Sequence, residues 1–178
     1  MACEPNKLPV ARMGRMGIYS IRDFPMKIGV ISDTHARHCS QLPQNLLKAL
    51  EKVDLIVHAG DIVTMDVIRG LEMVAPVKGV CGNMDLPEVR LAFPQKLVLE
   101  LEGRKIAVMH GSGGPAGLEN LVTQGFQGMD IIIFGHSHIA VNKVLDGIHL
   151  FNPGSAGDSY GILELGEIVS AKIIRAYY

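Results

Sequence analysis

The sequence predicts an α/β fold of two β-sheets packed together, with helices outside. Three observations predict it. The first third alternates short apolar runs with helical stripes, which argues for parallel strands joined by right-handed crossovers. The remainder changes rhythm to hairpins, marked by Glu102-Gly103, Asp146-Gly147 and Gly166. Lastly, polar residues of one chemical kind follow strand after strand, so the notable loops gather at one end.

Taken in order, Ile28-Gly29-Val30-Ile31 is a continuous apolar run suited to a strand covered on both faces. It ends in Asp33-Thr34-His35. A polar loop with Arg37, His38 and Ser40 follows. Pro43 precedes a helix over 44–52, where Leu46, Leu47 and Leu50 make an apolar stripe. Leu55 to His58 is a second strand, running into Ala59-Gly60-Asp61. A helix over 66–74 presents Val67, Ile68 and Leu71. Val77 to Cys81 is a third strand, followed by Gly82-Asn83.

Lys96 to Leu101 and Lys105 to Met109 pair as a hairpin, the second strand ending in His110-Gly111. Leu118 to Gln124 is a helix. Asp130 to Phe134 is the most apolar strand, followed by Gly135-His136-Ser137-His138. Ala140 to Leu145 and Ile148 to Phe151 flank Asp146-Gly147, a pair suited to a tight primed turn. After Asn152-Pro153-Gly154-Ser155, Gly161 to Leu165 and Glu167 to Ala176 form a last hairpin around Gly166.

A chain of 178 residues with 48% hydrophobic content can bury an adequate core. The formal net charge is -1, so no basic balance argues for nucleic acid and no charge run for a membrane surface. Cys3, Cys39 and Cys81 form no zinc or disulfide spacing; so sparse a set fits a reducing cytoplasm. Residues 1–25 read as an N-terminal extension and 26–178 as a single domain. The extension carries Arg12, Arg15 and Arg22 without an apolar stretch, so it is no secretory signal. Met26 is a candidate natural start. Gly17 to Ile21 could add an edge strand, within the chain or to a neighbour in a homo-oligomer.

The chemistry lies at the strand ends. Asp33, His35, Asp61, Asn83, His110, His136 and His138 are oxygen and imidazole donors without a thiolate. That mixture suits Mn, Fe, Zn or Ni better than Ca or Mg. Seven donors exceed one tetrahedral site; they suit two cations roughly 3.5–4 Å apart. Such neighbours need an anionic bridge, and Asp61 is the candidate. Two cations lower the pKa of a bridging water, making hydroxide available near neutral pH. Asn83 can join the ligands through its amide oxygen, with its amide nitrogen left to donate to a bound anion.

Asp-x-His, Gly-Asp, Gly-Asn, His-Gly and Gly-His-x-His, in this order, resemble the calcineurin-like metallophosphoesterase family. The compact size and Asn152-Pro153-Gly154-Ser155 resemble its small YfcE-type phosphodiesterases. The resemblance covers Met26 to about Ser170. It implies an αββα four-layer sandwich, with one metal on Asp33, His35, Asp61 and His138 and the other on Asp61, Asn83, His110 and His136. Mn2+ is the implied metal, with Ni2+, Fe2+ and Zn2+ as alternatives, and a phosphodiester the implied substrate. His58 fits the family's His-x-Gly-Asp stretch and is read as standing behind the ligands.

The chain departs from the family at Gly82-Asn83-Met84-Asp85. Many members carry His where Met84 stands, and Met84 cannot donate a proton. Asp85 is then expected to cap the following turn with Glu88, or to orient a ligand. Without an acid, aryl esters should outpace alkyl esters, since general acid help is worth roughly 10²–10⁴-fold. Met84→His should therefore raise alkyl diester hydrolysis more than aryl; equal gains in kcat/KM would remove the explanation. His38 and Ser155 are candidate replacement donors, and His149 reads as structural. Two alternatives stand beside the diesterase. A phosphomonoesterase would want basic groups, of which Arg37 and Arg90 are the candidates. A retromer-subunit-like scaffold would want eroded ligand positions.

Overall fold

The computed structural model describes residues 25–178, so the expectations for the N-terminal extension lie outside the described residues. The strands are β1 (Met26–Ile31), β2 (Leu55–His58), β3 (Val77–Gly79), β4 (Lys96–Leu101), β5 (Arg104–Met109), β6 (Ile131–Phe134), β7 (Val141–Leu145), β8 (Ile148–Asn152), β9 (Ser159–Leu165) and β10 (Ser170–Arg175). The helices are α1 (Gln44–Leu50), α2 (Met65–Glu72), α3 (Pro87–Ala92) and α4 (Leu118–Gln124). No described helix is long and apolar enough to cross a membrane.

Two mixed five-stranded sheets result, in the orders β10-β9-β1-β2-β3 and β4-β5-β6-β8-β7. Within the first, β1, β2 and β3 are parallel; within the second, β5, β6 and β8 are parallel. The period of two along each strand sorts the side chains into three cores. Ile28 and Val30 of β1 meet Ile131 and Ile133 of β6 and Phe151 of β8 between the sheets. Ile31 and Ile56 turn outward to α1, α2 and α3 through Leu46, Leu50, Ile68, Leu71 and Val89. Ile132 and Phe134 turn outward to Leu118 and Val122 of α4. The order of layers is therefore helices, sheet, sheet, helix, as the motifs implied. Gly29 lies under α1, where an added Cβ would run into Leu50.

The structure corrects three details. β3 stops at Gly79 rather than Cys81, because pairing with β2 ends where β2 ends, and the Cys81 amide instead donates to Pro94 O at 2.9 Å. The final hairpin turns over residues 166–169, not at Gly166 alone. Helix α3 was not anticipated; its signal was Pro87 in the first turn, where a missing N–H costs nothing.

Candidate metal centre

The loops after β1, β2, β3, β5 and β6 lie at one edge because parallel strands put their C-terminal ends together. Backbone bonds stitch them. Asp33 N–H donates to Gly60 O at 3.0 Å and Gly135 N–H to His110 O at 3.1 Å. Across the sheets, His110 Nδ1 donates to Ala59 O at 2.8 Å, and His136 N–H donates to Asp33 Oδ2 at 3.1 Å.

Each buried carboxylate has one oxygen held and one turned inward. Asp33 Oδ2 accepts from Ser32 Oγ at 2.6 Å as well as from His136 N–H. Asp33 Oδ1 has no hydrogen-bond partner. It lies 3.2 Å from His138 Nε2, 3.9 Å from His110 Nε2 and 4.0 Å from His35 Nε2. Asp61 Oδ1 accepts from Met84 N–H at 2.8 Å. Asp61 Oδ2 lies 3.4 Å from His110 Nε2 and 3.8 Å from His35 Nε2. His110 Nε2 is the other buried side-chain atom without a partner among the described residues. Its ring proton is on Nδ1, committed to Ala59, so Nε2 presents a lone pair.

Two further nitrogens, His35 Nε2 and His138 Nε2, face each other at 3.2 Å. His136 Nε2 donates to Gly113 O at 2.8 Å, which leaves its Nδ1 lone pair 3.1 Å from Asn83 Oδ1. The His136 ring stands 5.1 Å from the His110 ring. The two buried atoms left unsatisfied, Asp33 Oδ1 and His110 Nε2, cost about 1–3 kcal/mol each. A cation removes that cost, and the mixed oxygen and imidazole set fits a divalent transition metal. Two groups of donors form, the ligand atoms within each lying within 4.8 Å of one another: Asp33, His35 and His138, and Asp33, Asp61 and His110. Asn83 and His136 pair beside them.

The charges reinforce one another. Burial works to raise the Asp61 carboxyl, yet His110, the Met84 amide and His35 hold it below its ordinary range. Burial works to lower His110, but the Asp61 carboxylate, then Ala59 O and Asp33, raise it.

Strain is concentrated here. Asp33, His35, Asp61, Val63, His136 and His138 all have φ between 46° and 78°, the left-handed region. Each such residue costs on the order of 1–3 kcal/mol, and a β-branched Val63 is the least suited of them.

Side chains behind these donors hold the loops. His58 is fully buried; its Nδ1 accepts from Gly60 N–H at 3.2 Å and its Nε2 lies 3.3 Å from Thr34 Oγ1. Burial, helped by His110, lowers its pKa to about 3, so the ring is neutral. Thr34 extends this chain to Asp61 O and Ile62 O.

Asp85 does not form a capping box with Glu88. Its oxygens accept from Val63 N–H and Gly82 N–H, both at 2.6 Å. Glu88 instead accepts from Met65 N–H at 3.3 Å, at the start of α2. Asp85 thus ties the loop after Asp61 to the loop bearing Asn83.

The candidate replacement acids are engaged elsewhere. Ser155 Oγ donates to Asp33 O at 3.1 Å, and His38 Nδ1 lies 3.5 Å from Asp66 Oδ2 on the surface. His149 pairs with Asn142 at 2.7 Å and is lowered by burial, in keeping with a structural role. Sequence reasoning missed buried Asn152 as a support: its Nδ2 donates to Gly135 O at 3.0 Å and so braces the turn that carries His136. The Asn-Pro-Gly stretch was its only signal.

These features define a class of α/β proteins with a metal-binding edge formed by five strand ends. The sequence profile of the calcineurin-like phosphoesterase superfamily domain matches residues 26–167, and the chain belongs to that family. It is 37% identical over 160 residues to a probable metallophosphoesterase of Methanothermobacter thermautotrophicus, covering 84% of this chain and 92% of that protein. It is 30% identical over 165 residues to a phosphodiesterase of Methanocaldococcus jannaschii, covering 83% and 95%. The fold also matches vacuolar protein sorting 29 from Cryptosporidium parvum, with a TM-score of 0.66 over 86% of this chain and all of that one; at 21% identity the likeness is one of fold.

Proposed function

We propose that residues 26–178, acting as one domain, form a dinuclear metal-dependent phosphodiesterase of the cytoplasm. The observation that carries it is the pair of unpartnered buried atoms, Asp33 Oδ1 and His110 Nε2, with Asp61 Oδ2 placed between imidazoles of both donor groups. Asp33, His35, Asp61 and His138 would hold one ion. Asp61, Asn83, His110 and His136 would hold the other, with Mn2+ the first candidate and Ni2+, Fe2+ and Zn2+ the alternatives. Bound there, such ions supply charge neutralisation and a water acidified enough to attack phosphorus near neutral pH.

The chain's own residues do the rest. With Asn83 Oδ1 directed at His136, the Asn83 Nδ2 remains to donate to a phosphate oxygen. Asp61 keeps its orientation through the Met84 amide, while the Met84 side chain is 56% exposed and offers no proton. Leaving groups that depart unprotonated are therefore favoured, so aryl diesters should turn over faster than alkyl diesters, whose leaving oxygen must take its proton from solvent.

The test combines metal analysis of the purified protein with hydrolysis of bis- and mono-p-nitrophenyl phosphate, after stripping and re-adding Mn2+. Two ions per chain and faster diester than monoester turnover are expected. Monoester turnover far above diester would establish a phosphatase instead. Inactivity with both ions bound would establish a scaffold.

A further inference from the structure

A cleft of about 500 Å3 opens beside Asn83 and His110, and the proposed chemistry leaves it unused. Its volume suits one arm of a small organic substrate. Gly82 is part of its lining, and any side chain there would collide with Asp61, so a ligand can approach the site closely at that point. Phe93 and Met109 supply apolar wall. Arg90 and Lys96 are also among its lining residues, and no carboxylate lines the cleft.

Both cations are available. Arg90 Nε donates to Asp85 O at 2.8 Å and Nη2 to Asn83 O at 2.6 Å. Those contacts fix the guanidinium against the loop that bears Asn83. They use two of its five N–H donors, so three remain. The neighbouring Asp85 carboxylate does not neutralise it through a hydrogen bond, since both its oxygens serve Val63 and Gly82. Lys96 makes no ion pair among the described residues; its ammonium rests 5.3 Å over the Phe126 ring. Lys96 pairs in register with Met109, the residue before His110, so its flexible stem starts one strand away from the site.

A diester phosphate carries a single negative charge, which two divalent ions more than neutralise. Two additional cations lining an organic-sized cleft match a second anion. We infer that the cleft binds a terminal phosphate on one arm of the substrate, so that the substrate class is a phosphodiester bearing a second, non-reacting phosphate, of the kind found in a 5′-phosphorylated dinucleotide. This rests on the phosphodiesterase assignment. In the reaction, the oxygen of water bonds to the internal phosphorus, the P–O3′ bond breaks, and the departing O3′ takes its proton from solvent. Two nucleoside 5′-monophosphates result.

The test compares the Mn2+-loaded full chain on 5′-phosphorylated diadenylate and on unphosphorylated diadenylate, with products resolved by chromatography. The terminal phosphate should raise kcat/KM roughly tenfold or more, as expected for charge-assisted contacts, and the gain should shrink as salt rises. Lys96 is exposed on an edge strand, so Lys96→Glu leaves the fold intact and should collapse the preference toward one. Arg90→Lys, which keeps the charge and loses the fork, should reduce it partly. Equal kcat/KM on the two dinucleotides, a full preference retained by Lys96→Glu, or release of inorganic phosphate instead of two monophosphates would each overturn the inference. Failure on both dinucleotides and on bis-p-nitrophenyl phosphate, with two ions bound, would overturn the diesterase assignment itself.

Discussion

The space between the sheets and the edge above it are built on opposite terms. Between the sheets, Ile28, Val30, Val57, Ile133 and Phe151 are fully buried and apolar. At the edge, Asp33, His58, Asp61, Asp85 and His110 are buried, two of their atoms lack partners, and five donor residues have left-handed backbone. The comparison teaches where this fold stores free energy and where it spends it. Burial of apolar surface tolerates a strained, over-charged edge, and the edge gains a constellation of donors that solvent would otherwise disperse.

Substitutions on each side should therefore fail in different ways. Asp61→Asn, which removes the charge of the proposed bridge, should lower metal-dependent kcat by about 10³-fold or more, while the melting temperature of the metal-free protein stays the same or rises. A loss of activity accompanied by a large fall in metal-free stability would erase the distinction. Ile133→Ala should do the reverse. A cavity between the sheets should cost about 3 kcal/mol in urea unfolding, with kcat of the folded fraction retained.

The acid response sharpens the contrast further. His58 titrates near 6.5 when unfolded but only at about 3 when folded. Between these values the unfolded chain binds a proton that the native chain refuses, so stability is complete above pH 6.5 and falls as pH drops. The slope should be about 1.4 kcal/mol per pH unit from this residue alone. Unfolding of the metal-free protein between pH 6.5 and pH 4 should therefore be steeper for wild type than for His58→Gln. Parallel curves would assign the acid sensitivity to other groups. The smallest effect expected is at Val63. Val63→Gly should stabilise the metal-free protein by about 1 kcal/mol by relieving φ of 78°, whereas Val63→Ala, which keeps a Cβ, should not. Thermal melts of the two variants check it.

Much of the site was legible because it is written locally. A polar residue directly after an apolar run needs no tertiary knowledge to be noticed, and Asp33, Asp61, Asn83, His110 and His136 all stand in that place. Among the supports, His58 was legible because it acts on Gly60, two residues on; the long-range partners of the others were not, because they lie far along the chain. Asp85 reaches Val63, Ser155 reaches Asp33, and Asn152 reaches Gly135. Asp85 and Glu88 illustrate the limit. Their spacing matches a local cap, yet loop amides more than twenty residues away compete for both carboxylates and win.

From the sequence alone follow the strand and helix alternation, the two-sheet class and the candidate donors at the strand ends, since periodicity and strand-end polarity are short-range properties. Only the tertiary structure decided which oxygen of each aspartate is held and which is left bare, which backbone is forced into left-handed geometry, and that Arg90 leans on the carbonyl of Asn83. Those outcomes depend on what the two sheets bring face to face when apolar burial closes them, and no stretch of chain encodes its neighbour from the opposite sheet.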